Sequence, residues 1–230
     1  MQESSTDSRE DKQGLTTTKD LKKAKVKKKM VRILRILSLS SWLSWFGTAS
    51  LGPIYAIFVE RIGGNILDAG AAWAVFSIVM GLLMMGIGRI EDRRFDRRKI
   101  LTLGYSIITL ATLGYLFVRN PYQLLGIQAL LGIGTALYYP TWDTLFSHAI
   151  EKDRESTEWA LQEGGYQISG GIAALVGSFI AGIYGFQALF ITMASIQATS
   201  VIASLFLFSK KYKHLENAKI SKKHKPYRKR

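Results

Sequence analysis

The feature that most constrains this chain is a dense block of charge, GRIEDRRFDRRK, which runs from Gly88 to Lys99 between two long apolar segments. Side chains charged at this density cannot sit in hydrocarbon, so the block predicts a tight loop at a membrane surface. Its surplus of arginine is typical of the cytoplasmic side of a bilayer. The loop therefore sets the expected orientation of the helices on either side of it.

The net charge of +14 is concentrated at the two ends of the chain and in this loop. A surface that tracks nucleic acid would spread its basic residues over the fold, so we expect no nucleic-acid partner. Between about residues 32 and 209 the chain is a series of apolar runs near the roughly 20 residues that span a bilayer as a helix. There is no cysteine, no metal-ligand cluster and no implied cofactor.

We predict an all-α polytopic membrane protein with six transmembrane helices. The predicted spans are 32–59, 66–87, 100–118, 122–147, 158–184 and 187–209. Residues 1–30 are polar and end in a run of lysines, which predicts a disordered basic tail. Residues 31–209 form the predicted bundle, and residues 210–230 form a second basic tail.

Lysine and arginine are divided unequally between the two ends of these spans. Of the 31 basic residues, 29 lie on one side, and only Arg61 and Arg119 lie on the other. This bias follows the positive-inside rule and predicts that both termini are cytoplasmic. We therefore expect a multi-pass protein of the plasma or inner membrane, with the lipid bilayer as its first partner.

The charged loop resembles the signature loop of the major facilitator superfamily, whose pattern is Gly, three residues, Asp, Arg, then Gly-Arg-Arg or Gly-Arg-Lys. The matching residues are Gly88, Asp92, Arg93, Arg97, Arg98 and Lys99. The loop departs from the pattern because one residue is inserted and Asp96 stands where the second glycine is expected. The resemblance covers about residues 32–209 and implies one half of the usual twelve-helix transporter.

The resemblance also implies a charge cluster at the cytoplasmic surface. In the family the loop arginines bridge to an acid at the end of the fourth span, and Asp143 occupies the matching place here. The residues of the expected cluster are Gly88, Asp92, Arg93, Arg97, Arg98 and Asp143. We expect Gly88 to permit close helix approach, and Asp92, Arg97 and Asp143 to form a latch that breaks as the protein changes state. The alternative is a static anchor that only secures topology.

Two stripes of polar and aromatic side chains are candidates for lining a solute path. They are Ser41, Trp45, Thr48, Gly52 and Tyr55 on the first span, and Gln128, Gly132, Thr135, Tyr139 and Trp142 on the fourth. Steps of three and four residues place each set on one helix face. The resemblance implies that the same two spans line the central cavity.

The candidate substrate-binding residues are Trp45, Thr48, Gln128, Thr135, Tyr139 and, on the fifth span, Gln167. Aromatic rings with a few hydrogen-bonding groups suit a sugar or a mostly apolar organic molecule. The alternative is that the hydroxyls bond their own backbone and the rings anchor at the membrane interface.

No Asp or Glu lies in the middle of a predicted span, so the sequence offers no obvious proton carrier. We therefore predict facilitated transport of a small molecule, or coupling to an ion other than the proton. Because alternating access needs two bundles, the chain is expected to act as a homodimer or with a second transporter half. A scaffold or truncated half without transport is the alternative. A membrane serine protease is disfavoured because the only candidate histidine, His148, precedes Ser169.

Overall fold

The structure is a computed structural model that describes residues 7–91, 96–150 and 152–208 of the 230-residue chain. Within these ranges the chain is helical and contains no strand. The helices are α1 (Asp7–Ala49), α2 (Tyr55–Arg61), α3 (Ile66–Glu91), α4 (Arg97–Gly114), α5 (Pro121–Ala149) and α6 (Glu155–Leu205). Short 3₁₀ turns lie at Gly52–Ile54, Tyr115–Phe117, Lys152–Arg154 and Phe206–Phe208.

Four helical stretches of the described chain are long and apolar enough to cross a membrane. They are Met30–Arg61, Ile66–Gly88, Arg97–Phe117 and Glu155–Leu205. Helix α5 is also long enough but is less apolar, because glutamines, tyrosines and Asp143 interrupt its leucines. The prediction of an all-helical, multi-pass membrane protein is confirmed.

Helix α6 is interrupted at Gly185. A straight helix of 51 residues would be about 76 Å long, more than twice the hydrocarbon thickness of about 30 Å. Gly185 has φ 83° and ψ 172°, a conformation that glycine adopts without a steric penalty. Beyond it, Phe190 stacks on Tyr115 near the end of α4, whereas Ser204 bonds Thr102 near the start of α4. The chain after Gly185 therefore runs antiparallel to α4.

Glycines let α5 pack closely against α4 and α3. A Cβ on Gly104 of α4 would lie 2.8 Å from the backbone nitrogen of Tyr138, and a Cβ on Gly132 would lie 2.8 Å from the carbonyl oxygen of Phe76. Larger residues at these points would push the helices apart. Small residues of this kind are the usual means of close helix packing in membranes.

Helix α1 begins at Asp7, inside the segment of residues 1–30 that the sequence predicts to be disordered. The Lys, Gln, Glu and Leu residues of this segment are strong helix formers, which favours a helix there, and the disorder of the tail stays a prediction. Residues 1–6 and the predicted second tail, residues 210–230, lie outside the described residues. The boundaries of the bundle at residues 31 and 209 stay a prediction.

Candidate solute-binding face

Helix α1 packs along the first part of α6 by placing large groups against glycines. The contacts are Trp42 on Gly165, Trp45 on Gly170 and the Ser50 carbonyl on Gly177. A Cβ on any of these glycines would clash with the opposing group. Trp42 also donates a 3.1 Å hydrogen bond from Nε1 to the carbonyl oxygen of Gln162. These contacts fix the position of the indole rings on α1.

Trp45 stacks on Tyr166 at this junction. The two ring centroids are 4.5 Å apart and the ring planes differ by 13°. The Trp45 side chain is half-buried, and its Nε1 donor has no hydrogen-bond partner among the described residues. Indole N–H groups usually find a partner when buried. This donor is instead buried against Gly170, with no hydrogen-bond partner among the described residues.

Polar and acidic groups surround the stacked rings. Gln167 donates a 2.8 Å hydrogen bond from Nε2 to Oε1 of Glu163, on the same face of α6 as Tyr166. On α5, Tyr139 is 46% exposed, and Asp143 follows it by one helical turn. We name this set the polar face and define it as Trp45, Thr48, Tyr139, Glu163, Tyr166 and Gln167.

Thr48 connects the polar face to the part of α6 beyond Gly185. Its hydroxyl accepts a 3.2 Å hydrogen bond from Nε2 of Gln197 and donates a 3.3 Å bond to the carbonyl oxygen of Ser44. Gln197 is buried, and its Oε1 has no partner among the described residues. The bond of Thr48 to Ser44 is the bond to its own backbone that the alternative to a solute path expects. The bond from Gln197 joins Thr48 to α6 as well.

Gln128 lies in a separate, closed network. Its Nε2 donates hydrogen bonds of 2.7 Å to the hydroxyl of Tyr55 and 3.2 Å to the hydroxyl of Tyr115. The Gln128 side chain is 5% exposed, and Tyr115 stacks on Phe190 with centroids 5.0 Å apart. The structure therefore does not bring Gln128 to the polar face. It places Gln128 where it ties α5 to α2 and to the end of α4.

The remaining residues of the α5 stripe vary in exposure. Thr135 is half-buried and lies one turn before Tyr139. Trp142 is buried, donates a 3.0 Å hydrogen bond from Nε1 to the carbonyl oxygen of Leu37, and stacks on Phe146. The stripe is therefore packed at both ends and opens to its surroundings at Tyr139.

Asp96 and Arg98 form an ion pair at the start of α4. Nε and Nη2 of Arg98 each lie 2.9 Å from a carboxylate oxygen of Asp96, and Nη1 donates a 3.3 Å bond to the carbonyl oxygen of Leu207. Partial burial raises the pKa of Asp96, but the hydrogen bonds and charge of Arg98 outweigh burial and leave the pKa lowered. Asp96 also caps α4 by accepting a 3.2 Å bond from the Arg98 backbone nitrogen. Asp96, which stands where the family pattern has its second glycine, is therefore the N-cap residue of α4.

The expected latch is described only in part. Asp92 and Arg93 lie outside the described residues. Arg97 and Asp143 are both half-buried, and within the described ranges the Asp143 carboxylate forms no ion pair. Gly88 is exposed, and no described atom lies within 4 Å of a Cβ placed on it, so the close approach expected there is not seen. The latch itself stays a prediction.

The sequence profile of the Major Facilitator Superfamily matches residues 37–229 of the chain. The chain belongs to the major facilitator superfamily. The match extends over most of the predicted bundle, so the resemblance inferred from the charged loop is confirmed.

Relatives among known proteins agree with this family. Multidrug resistance protein MdtG of Salmonella arizonae is 25% identical over 161 residues, which cover 68% of this chain and 40% of the relative. The protein of the same name from Salmonella newport gives the same values. The chain therefore spans about two fifths of the length of these curated relatives.

Sequence reasoning missed partners of the candidate residues. Tyr166 could have been added to the candidates from the sequence, because its spacing from Glu163 and Gln167 places all three on one face of a helix. Tyr115 and Gln197 gave no local signal, since their partners Gln128 and Thr48 are 13 and 149 positions away in the chain. Such contacts follow from helix packing and cannot be read from spacing.

Proposed function

We propose that the chain forms one six-helix bundle of a transporter that moves a small organic solute by alternating access. The break at Gly185 supports the helix count, because it divides α6 into residues 155–184 and 186–205, each long enough to span a bilayer. The α1–α2 region, α3, α4 and α5 supply the other four spans.

The observation that carries this proposal is the open polar face. Glu163 and Gln167 are exposed on α6, whose other exposed side chains up to Ile183 are mostly apolar, and Tyr139 is exposed on α5. A carboxylate and an amide that face lipid are costly, so the face requires a water-filled path or a second bundle to cover it. Stacked aromatic rings beside a few polar groups suit an organic solute with apolar surface. The relatives are named multidrug resistance proteins, which supports the same solute class.

A second bundle is needed because alternating access is the rocking of two bundles about a central site. We propose that a second copy of the chain supplies it, or else a different transporter half. An even number of spans places both termini on one side, and the basic bias assigns that side to the cytoplasm of a cell membrane. Two parallel copies would then bring their polar faces together across a two-fold axis.

The second candidate function is a membrane scaffold that transports nothing. Part of the predicted stripes packs without an opening, which favours this reading. Ser41 is buried and its hydroxyl accepts a 2.9 Å bond from Nε2 of Gln162. Trp142 is likewise buried and bonded to Leu37.

Two measurements on the full chain separate the candidates. Native mass spectrometry from lipid nanodiscs counts the chains per particle, and proteoliposomes report uptake of cationic, neutral and anionic fluorescent dyes. We expect two chains per particle and uptake of at least one dye. Trp45→Ala and Tyr139→Ala should reduce that uptake, whereas Leu175→Ala, an exposed apolar residue of α6, should leave it unchanged. One chain per particle, with uptake no faster than in protein-free liposomes, would favour the scaffold.

A further inference from the structure

A cleft of about 520 Å³ lies at the end of the bundle opposite to Asp96. It is formed by the end of α2, the turn that follows α4 and the break in α6 at Gly185. Two exposed arginines from different parts of the chain, Arg61 and Arg119, line it. We name it the arginine cleft.

Aromatic rings form one wall of the arginine cleft. Phe58, Phe186 and Phe190 contact one another with ring centroids 5.0 to 6.0 Å apart. The guanidinium carbon of Arg61 lies 5.4 Å from the centroid of the Phe186 ring. This cation–π contact holds the positive charge against an apolar surface.

The charge of the arginine cleft is not neutralised by its own lining. None of the described residues that line it is acidic, and the neighbouring Glu60 is not one of them. Tyr184 and Gln187 add hydrogen-bonding groups. The sequence places the other 29 basic residues toward the opposite end of the bundle, so these two arginines do not belong to the basic surface there.

We propose that the arginine cleft binds an organic anion. Its carboxylate or phosphate lies between Arg61 and Arg119, whose guanidinium groups match such oxygens, and its apolar body lies on the aromatic wall. An anionic lipid and a free amphipathic solute share this chemistry. The claim concerns binding alone and does not depend on transport, so failure of the dye experiment would leave it standing.

The arginine cleft also touches the closed network around Gln128. Tyr115 lines the cleft, and its hydroxyl accepts the 3.2 Å hydrogen bond from Gln128. An anion in the cleft therefore lies against the residue that joins α4 to α5. This contact gives the cleft a direct connection to the interior of the bundle.

The first test uses 4-(trifluoromethyl)benzoate, followed by ¹⁹F NMR, with the full chain in phosphatidylcholine nanodiscs. The matching benzamide has nearly the same shape and no charge. We expect saturable binding of the benzoate and binding of the benzamide that is weaker by about tenfold, because charge-assisted hydrogen bonds are the stronger kind. Equal affinity for the two compounds would overturn the proposal.

Charge-removing variants locate the bound probe. Arg61→Gln and Arg119→Gln are each expected to weaken benzoate binding about three- to fivefold, as for exposed ion pairs, and the double variant by about tenfold or more. Arg154→Gln removes an exposed arginine at the opposite end and should change nothing. Circular dichroism checks that each variant is folded. Unchanged affinity in the double variant, or an equal loss in Arg154→Gln, would contradict the assignment.

Repeating the titration in nanodiscs that contain phosphatidylglycerol settles the source of the anion. The double variant is titrated in the same nanodiscs, and it shows how far the negative charge of the membrane alone changes benzoate binding. Competition by the lipid identifies an anionic headgroup as the occupant. Undiminished binding identifies a free solute. Either result supports an anion site, whereas no saturable binding in either lipid overturns it.

Discussion

Two polar regions of α5 differ sharply in their surroundings. Gln128 is 5% exposed and bonded to two tyrosine hydroxyls, whereas Tyr139, three turns further on, is 46% exposed and lies one turn before Asp143. The first group satisfies its donor inside the bundle. The second group is exposed at the surface of the bundle. A polar residue in a membrane helix thus either holds helices together or faces a path, and its neighbours on other helices decide which.

The largest expected effect is on the closed network. Gln128→Leu removes the partner of two tyrosine hydroxyls and should lower the free energy of unfolding by about 1–3 kcal/mol, because buried polar groups are left unsatisfied. Reversible denaturation in mixed detergent micelles measures it. The matched control is Gln167→Leu on the polar face, which should stay within about 0.5 kcal/mol. Equal losses in the two variants would remove the distinction between the regions.

The two indole rings of the stripes give a smaller contrast. Trp142→Phe breaks the 3.0 Å bond to the Leu37 carbonyl and should cost about 0.5–1.5 kcal/mol. Trp45→Phe keeps an aromatic ring against Tyr166 and removes a donor that has no partner among the described residues, so it should cost less than Trp142→Phe. The same denaturation experiment compares them. A larger loss in Trp45→Phe would mean that its N–H supports the fold.

The sequence located the helices because long apolar runs bounded by charge leave few alternatives. The predicted span 122–147 corresponds to α5, which begins where Pro121 follows the N-cap Asn120, whose side chain accepts a 3.0 Å bond from the Gln123 backbone nitrogen. Spacing also predicted that Trp45 and Tyr139 lie on helix faces that line a solute path, and this stays a prediction. Spacing could not show that Gln128 is buried and Tyr139 is exposed. Two residues on the same helix face can be covered by different neighbouring helices, and spacing does not reveal which helix lies over each turn.

The charge cluster shows the same limit. The resemblance to the family placed Arg97 and Arg98 in a cluster with Asp92 and Asp143, which stays a prediction, and the structure describes an ion pair between Arg98 and Asp96. The reason is local, because the capping position of Asp96 brings its carboxylate next to the residue two positions later. A family pattern with glycine at this position contains no information about that pair.

A further pH-dependent effect is expected for the pair of Asp96 and Arg98, in which Arg98 is buried and Asp96 is partly exposed. Because the pKa of Asp96 is lowered on folding, its contribution to stability is present above the ordinary pKa of 3.8 and is lost as the pH falls through the lower folded value. Asp96→Asn should cost about 1 kcal/mol at pH 7, since the Asp96 side chain is 29% exposed and the buried Arg98 guanidinium keeps its bond to the Leu207 carbonyl oxygen. Unfolding curves of both proteins between pH 7 and pH 2 should converge at the acid end. A constant difference down to pH 2 would show that capping, and not charge, accounts for the loss.

The most direct test of the central claim uses the absence of cysteine from the chain. Single variants Tyr139→Cys, Gln128→Cys and Leu175→Cys place a thiol on the polar face, in the closed network and on an exposed apolar surface. A membrane-impermeant thiol reagent attacks only a thiol that water can ionise. In sealed vesicles that contain the full chain, the account predicts rapid labelling of Tyr139→Cys and protection of the other two. Protection of Tyr139→Cys to the same degree as Leu175→Cys would contradict a water-filled path along the polar face.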